Sequence, residues 1–250
     1  MSKYINLSFL CLVILCLTSA SSDFLTEQRK YERVRIALKE KEKTVAENLK
    51  KNGLNPDSLN ILITVCKEEQ KLNVYAKKKA GETYKKIATY DVCAQSGRLG
   101  PKRKQGDYQV PEGFYHIDRY NPVSNFHLSL GINYPNEADR KKSAASKLGG
   151  DIFIHGSCVT IGCLPMTDDK IKEIYLYAVY ARNSGQTNIP VYIFPFEMTD
   201  LNMEIYGEKY KNNQEFLNFW MNIKTGFDKF EKDKKALKIS IDNDGNYQCR

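Results

Sequence analysis

The segment Ile152-Phe-Ile-His155-Gly-Ser-Cys158-Val-Thr-Ile-Gly162-Cys163 holds the residues of this chain best suited to chemistry. An apolar run leads into a His-Gly turn, and a Gly-Cys turn follows eight residues after the histidine. A thiol is a weak nucleophile until its proton is removed, and a neutral imidazole is the usual acceptor. Cys163 therefore reads as a nucleophile and His155 as its general base. A glycine before the cysteine lets the backbone turn tightly, so the N–H groups of Gly162 and Cys163 are candidates to hold an oxyanion. The order, histidine before cysteine with a short gap, is the reverse of papain-type proteases. The chemistry expected is acyl transfer through a cysteine.

Gly156 and Thr160 flank the pair and are candidate cleft residues. Of the other histidines, His116 and His127 stand in apolar, strand-like company and read as structural. His127, between Phe126 and Leu128, is the better of the two as a lining residue of a substrate cleft. No Cys-x-x-Cys or His-x-x-x-His spacing offers a closed zinc site. Neither a metal nor a cofactor is expected.

Short β-rich runs bounded by turns must carry these residues. They are 61–65, 71–75, 86–92, 113–117, 125–130, 151–154 and 191–194. Thr167 reads as a helix N-cap with Asp168 and Asp169 in the first turn. Ile171, Ile174, Tyr175 and Ala178 then form that helix's buried face. Residues 24–52 read as a helix with a thin apolar stripe (Tyr31, Val34, Leu38, Val45, Leu49), one that leans on the domain without joining its core. Two further helices, a final strand at 237–241 and a turn at Asn243-Asp-Gly245 close the chain. The fold class expected is α+β with a mainly β centre and helices at both ends.

Lys3, the apolar run Ile5 to Leu17 and Thr18-Ser-Ala20 have the form of a secretory signal. The run is short for a membrane-spanning helix, which needs about 20 residues. The mature chain is expected to be exported, to the periplasm or cell envelope, and to carry no transmembrane segment. A formal charge of +8 suits an anionic wall polymer or membrane surface, and export argues against nucleic acid. Five cysteines lie beyond the signal, an odd number where disulfides can form: Cys66, Cys93, Cys158, Cys163 and Cys249. Cys66 and Cys93 each end an apolar run and are candidates to pair.

Several motifs in register resemble one family. Gly106-Asp-Tyr-Gln-Val-Pro111-Glu-Gly113-Phe-Tyr115 is similar to the GD-x-x-T-P-E-G-x-Y element of YkuD-fold L,D-transpeptidases. Phe126 to Asn136, Leu148 to Gly156 and Thr160-Ile-Gly-Cys163 follow in that family's order. The common form separates His and Cys by nearly twenty residues, with a second His two before the Cys and an Arg two after it. Here the gap is eight, and Ile161 and Pro165 occupy those two positions. The short loop and the segments 194–203 and 219–231 resemble the YafK-like branch.

The resemblance implies a YkuD-like β-sandwich or barrel at 57–198. Around it would stand a signal at 1–20, an N-terminal helix and linker at 21–56, and a helical extension at 199–250. It implies a monomer acting on meso-diaminopimelate in peptidoglycan stem peptides, some members of the branch releasing a stem-linked lipoprotein. It assigns Cys158 no catalytic role, which leaves packing or a disulfide. Two rivals are a sortase-like transpeptidase, which would need a catalytic arginine on a strand after the cysteine where none is placed, and a non-catalytic wall-binding module on the same fold.

Overall fold

A computed structural model describes residues 23–79 and 83–250, so the expected signal lies outside the described residues. The described elements run α1 (Phe24–Arg29), α2 (Glu32–Lys51), β1 (Leu59–Cys66), β2 (Lys71–Lys78), β3 (Lys85–Asp91), β4 (Gly113–Asn121) and β5 (Ser129–Ile132). They continue with α3 (Glu137–Lys142), β6 (Phe153–His155), β7 (Leu164–Pro165), α4 (Thr167–Asn183) and β8 (Pro190–Phe194). Helices α5 (Asp200–Lys209) and α6 (Gln214–Asp233) and a hairpin of β9 (Ile239–Ile241) and β10 (Tyr247–Cys249) complete the chain. The α+β class is as expected.

The β layer is one eight-stranded sheet in the order β3-β2-β1-β8-β4-β5-β6-β7. Two pairs, β1 with β8 and β6 with β7, are parallel. The central strands are apolar on both faces because both faces are covered. Ile61, Ile63, Val65, Val191 and Ile193 point into a core shared with α1, α2 and α4. The alternate residues Leu62, Cys66, Tyr192 and Phe194 enter a second core with α6 and β10. Trp220, Phe196 and Phe230 are buried there.

Four local expectations are corrected. The N-terminal helix is broken near Lys30 into α1 and α2, and α2 belongs to the core: Val34, Ala37, Val45 and Leu49 are fully buried. The run 125–130 enters its strand only at Ser129; His127 has φ 68°, which no strand accommodates. Helix α4 is buried all round from Ile174 to Ala181, because helices pack on one side and the sheet on the other. It starts one residue early, at Thr167, although the Thr167 hydroxyl still accepts from Lys170 N at 3.4 Å as a cap would.

Candidate active site

Strand pairing puts the two candidate reacting side chains on one face. Ile154 pairs with Leu164 and His155 with Pro165 in the parallel β6–β7 ladder. Cys163, just before β7, therefore stands beside Phe153. Phe153 and His155, two residues apart on a strand, share a face. His155 and Cys163 line one cavity of about 240 Å³ together with Phe126, Val159, Thr160 and Ile161. Val159, Ile161 and Phe126 are partly exposed at 56%, 74% and 42%, so the mouth of the cavity is apolar.

His155 is buried, and its ring lies against Phe126 with centroids 4.7 Å apart. Its Nδ1 stands 2.5 Å from Gly156 O. A carbonyl only accepts, so Nδ1 carries the proton and Nε2 is the acceptor. Burial holds the imidazole below its ordinary value, against the opposing effect of the Gly156 carbonyl. The Cys163 thiol is half-buried and 3.6 Å from Asp151 O. Burial pushes it above the ordinary thiol value, partly offset by a hydrogen bond from the Phe153 backbone. Both shifts favour the uncharged form of each group.

Gly162 has φ 136°, a conformation that side chains resist, and a Cβ there would sit 3.0 Å from Gln109 O. The hydroxyl of Thr160 accepts from Gly162 N at 3.1 Å and from Cys163 N at 2.8 Å, and donates to Cys163 O at 2.9 Å. The two amides considered for an oxyanion are therefore held by Thr160. Gly156 N donates to Leu128 O at 3.1 Å, which fixes the turn after His155. His127 lies behind Gly156, outside the residues lining the cavity. Its Nε2 is buried without a partner, and burial lowers its basicity.

Cys158 is bonded to Cys93, with Cα atoms 5.6 Å apart, so Cys93 does not pair with Cys66. Cys66 is a buried free thiol on the second core, on the opposite face of the sheet. The disulfide ties the loop between His155 and Cys163 to the end of β3. Sequence reasoning passed over Phe126 and Asp151, which meet His155 and Cys163 only through loops and register. Among the described residues no group of three or more His, Cys, Asp or Glu side chains could hold a metal ion.

Comparisons with known proteins give the family. Residues 60–193 match the model of the YkuD L,D-transpeptidase catalytic domain, and the chain belongs to that family. It is 40% identical over 189 residues to the Escherichia coli (strain K12) protein "Putative L,D-transpeptidase YafK", covering 75% of this chain and 72% of that one. Among solved structures it is similar to the helical cell shape determining protein Pgp2 from Campylobacter jejuni, at 19% identity and TM-score 0.45, over 78% of this chain and 80% of that one. It is also similar to Bd1075 of Bdellovibrio bacteriovorus, at 24% identity and TM-score 0.40, over 66% and 58%.

Proposed function

We propose that the protein is an exported enzyme of peptidoglycan stem peptides in which Cys163 attacks the carbonyl at the L-centre of meso-diaminopimelate. One observation carries the reading. His155 and Cys163 line a single cavity, and the bond from His155 Nδ1 to Gly156 O leaves Nε2 to take the thiol proton. The family membership points to the same chemistry.

Nε2 takes the proton as Sγ bonds to the carbonyl carbon, whose oxygen becomes an oxyanion. To reach the amides of Gly162 and Cys163 the oxyanion displaces the Thr160 hydroxyl, so each contributes less than the about 2.7–4 kcal/mol of a preorganised donor. Collapse breaks the C–N bond, and the imidazolium returns its proton to the departing amine. The resulting thioester is resolved by water or by another amine. The short loop between His155 and Cys163 provides little to orient a second stem, so water is the favoured acceptor. Release of a stem-linked lipoprotein is one such hydrolysis. The net positive charge suits an anionic wall.

The test gives the protein tetrapeptide stems, an amine acceptor and stems bearing a covalently attached lipoprotein, with products read by mass spectrometry. Shortened or released stems from wild type, and none from Cys163→Ala, are expected. Accumulating cross-linked dimers with linked stems untouched would reverse the preference for water. No turnover, with a thiol inert toward a carbapenem, would leave a wall-binding module.

A further inference from the structure

Neighbouring strands contribute one residue each to a row that ends at the nucleophile. Arg119 on β4 pairs with Gly131 on β5, and Gly131 pairs with Phe153 on β6. The β6–β7 register then puts Cys163 next in line. Residues opposite one another in a sheet share a face, so Arg119 and the thiol stand on the same side. A bulge in β4 between Ile117 and Arg119 brings Asp118 to that face as well.

Gly131 is the low point of the row. A Cβ there would lie 2.8 Å from Asp118 Oδ1 and 3.0 Å from Arg119 Nε. The arginine crosses this gap to place its guanidinium 4.8 Å from the centre of the Phe153 ring. Its Nη1 donates to Asp151 Oδ1 at 2.8 Å and its Nε to Asp118 Oδ1 at 3.3 Å. Asp151, at φ 55°, touches both ends of the arrangement: its carboxylate meets Arg119 and its carbonyl meets Cys163 Sγ. Arg119 is 45% exposed, Asp118 33% and Asp151 80%. Ion pairs this open to water contribute little to folding, about 0–1 kcal/mol, so stability does not account for the arrangement.

One guanidinium between two carboxylates complements a ligand that carries both charges on one carbon. We propose that Arg119, with Asp118 and Asp151, binds an α-amino-acid zwitterion, the free D-centre of stem diaminopimelate, while the L-centre carbonyl lies at Cys163. The guanidinium takes the carboxylate in a forked pair, and the aspartate it releases takes the ammonium. The assignment rests on the stem reading above. It makes Arg119 a specificity-determining residue for stems whose second amino-acid centre is neither amidated nor cross-linked.

The test measures binding by calorimetry to the Cys163→Ala protein, with turnover by wild type in parallel. The ligands are a diaminopimelate tetrapeptide stem, the same stem with a D-centre carboxamide, and a lysine stem that lacks the second carboxylate. The native stem should bind about tenfold or more tightly than either analogue, as expected for one charge-assisted pair. Arg119→Gln should erase that ratio, Arg119→Lys should keep part of it, and Gly131→Ala should weaken the native stem alone. An unchanged ratio in a folded Arg119→Gln protein overturns the clamp. If the ratio behaves as expected but wild type turns over no stem, the clamp stands and the activity assigned to Cys163 falls. Turnover indifferent to the D-centre sinks the clamp and keeps the activity.

Discussion

Burial acts on the two reacting side chains with the same result: it keeps Cys163 protonated and His155 unprotonated. In the mechanism proposed above, the proton would then move during attack, with no thiolate–imidazolium pair before it. Because the folded imidazole is depressed, it stays neutral to lower pH than a free one. The acid limb of kcat/KM should therefore lie below about 6.5, the ordinary imidazole value. Alkylation of Cys163 by iodoacetamide should climb only above about 8.5, where an ordinary thiol titrates. A rate already at its plateau near neutral pH would reveal a preformed ion pair. His155→Gln should lose about 10²-fold or more in kcat/KM, the low end for a general base. The His155 to Cys163 spacing made this pair legible in the sequence. Thr160 was named for the cleft; its bonds to the Gly162 and Cys163 amides follow a local hydroxyl-to-backbone pattern that the Thr-Ile-Gly-Cys string also carries. Arg119 reads in the sequence as a candidate substrate contact but more readily as a structural strand residue, and Asp151 only as the start of a strand, because the pairing of strands that brings them toward the thiol is not written in their spacing.

At the scale of elements, α2 and the disulfide each hold part of the site. The stripe of α2 looked thin because its buried contacts lie among dense lysines and glutamates, and residue spacing does not reveal how deeply a stripe is set. Arg33 on α2 donates to the Ser124 carbonyl and, at 2.6 Å, to His127 O, so the helix also holds the loop that carries Phe126. Removing residues 21–52 would uncover the first core, and the remainder should fail to fold. Leu49→Ala should cost about 2–5 kcal/mol in urea unfolding. A truncated chain with native near-UV dichroism would refute this role. The Cys93–Cys158 bond closes a loop of sequence separation 65, for which loss of unfolded-chain entropy gives about 4 kcal/mol in that model. The loop between His155 and Cys163 is held independently, by Met166 N to His155 O and Ser157 N to Asp168 Oδ1. Mild reduction, or Cys158→Ala, should thus lower Tm by about 10 °C and leave kcat within about threefold. A collapse of kcat with Tm unchanged would show that the bond shapes the site itself.

At the scale of the whole molecule, the sequence divides into a helix, a catalytic domain and an extension expected to pack on that domain. The extension covers the second face of the catalytic sheet, and Trp220 of α6 bonds to a buried ion pair on the catalytic side. Lys67 Nζ, just past β1, lies 2.8 Å from Glu112 Oε1 and also donates to the carbonyls of Arg98, Gly100 and Val110. Glu112 Oε1 accepts from Gly100 N at 2.8 Å, and Oε2 accepts from Trp220 Nε1 of α6 at 2.9 Å. Lys67 also lines a small cavity with Cys163 and Val110, so this network borders the candidate site. A charge buried with every partner in place is tolerated, and one left alone is costly. Lys67→Met, which leaves the Glu112 carboxylate buried without its cation, should therefore destabilise by about 3–5 kcal/mol. Trp220→Phe removes one donor, at about 1–3 kcal/mol, and adds the cost of the cavity left by the second ring of a fully buried indole. The double variant Lys67→Met with Glu112→Leu should recover much of the loss of Lys67→Met, because it leaves no bare charge. Urea unfolding of the three variants checks the ordering. If the double variant is no more stable than Lys67→Met alone, the cost lies in the lost backbone contacts of Lys67 and not in an orphaned carboxylate.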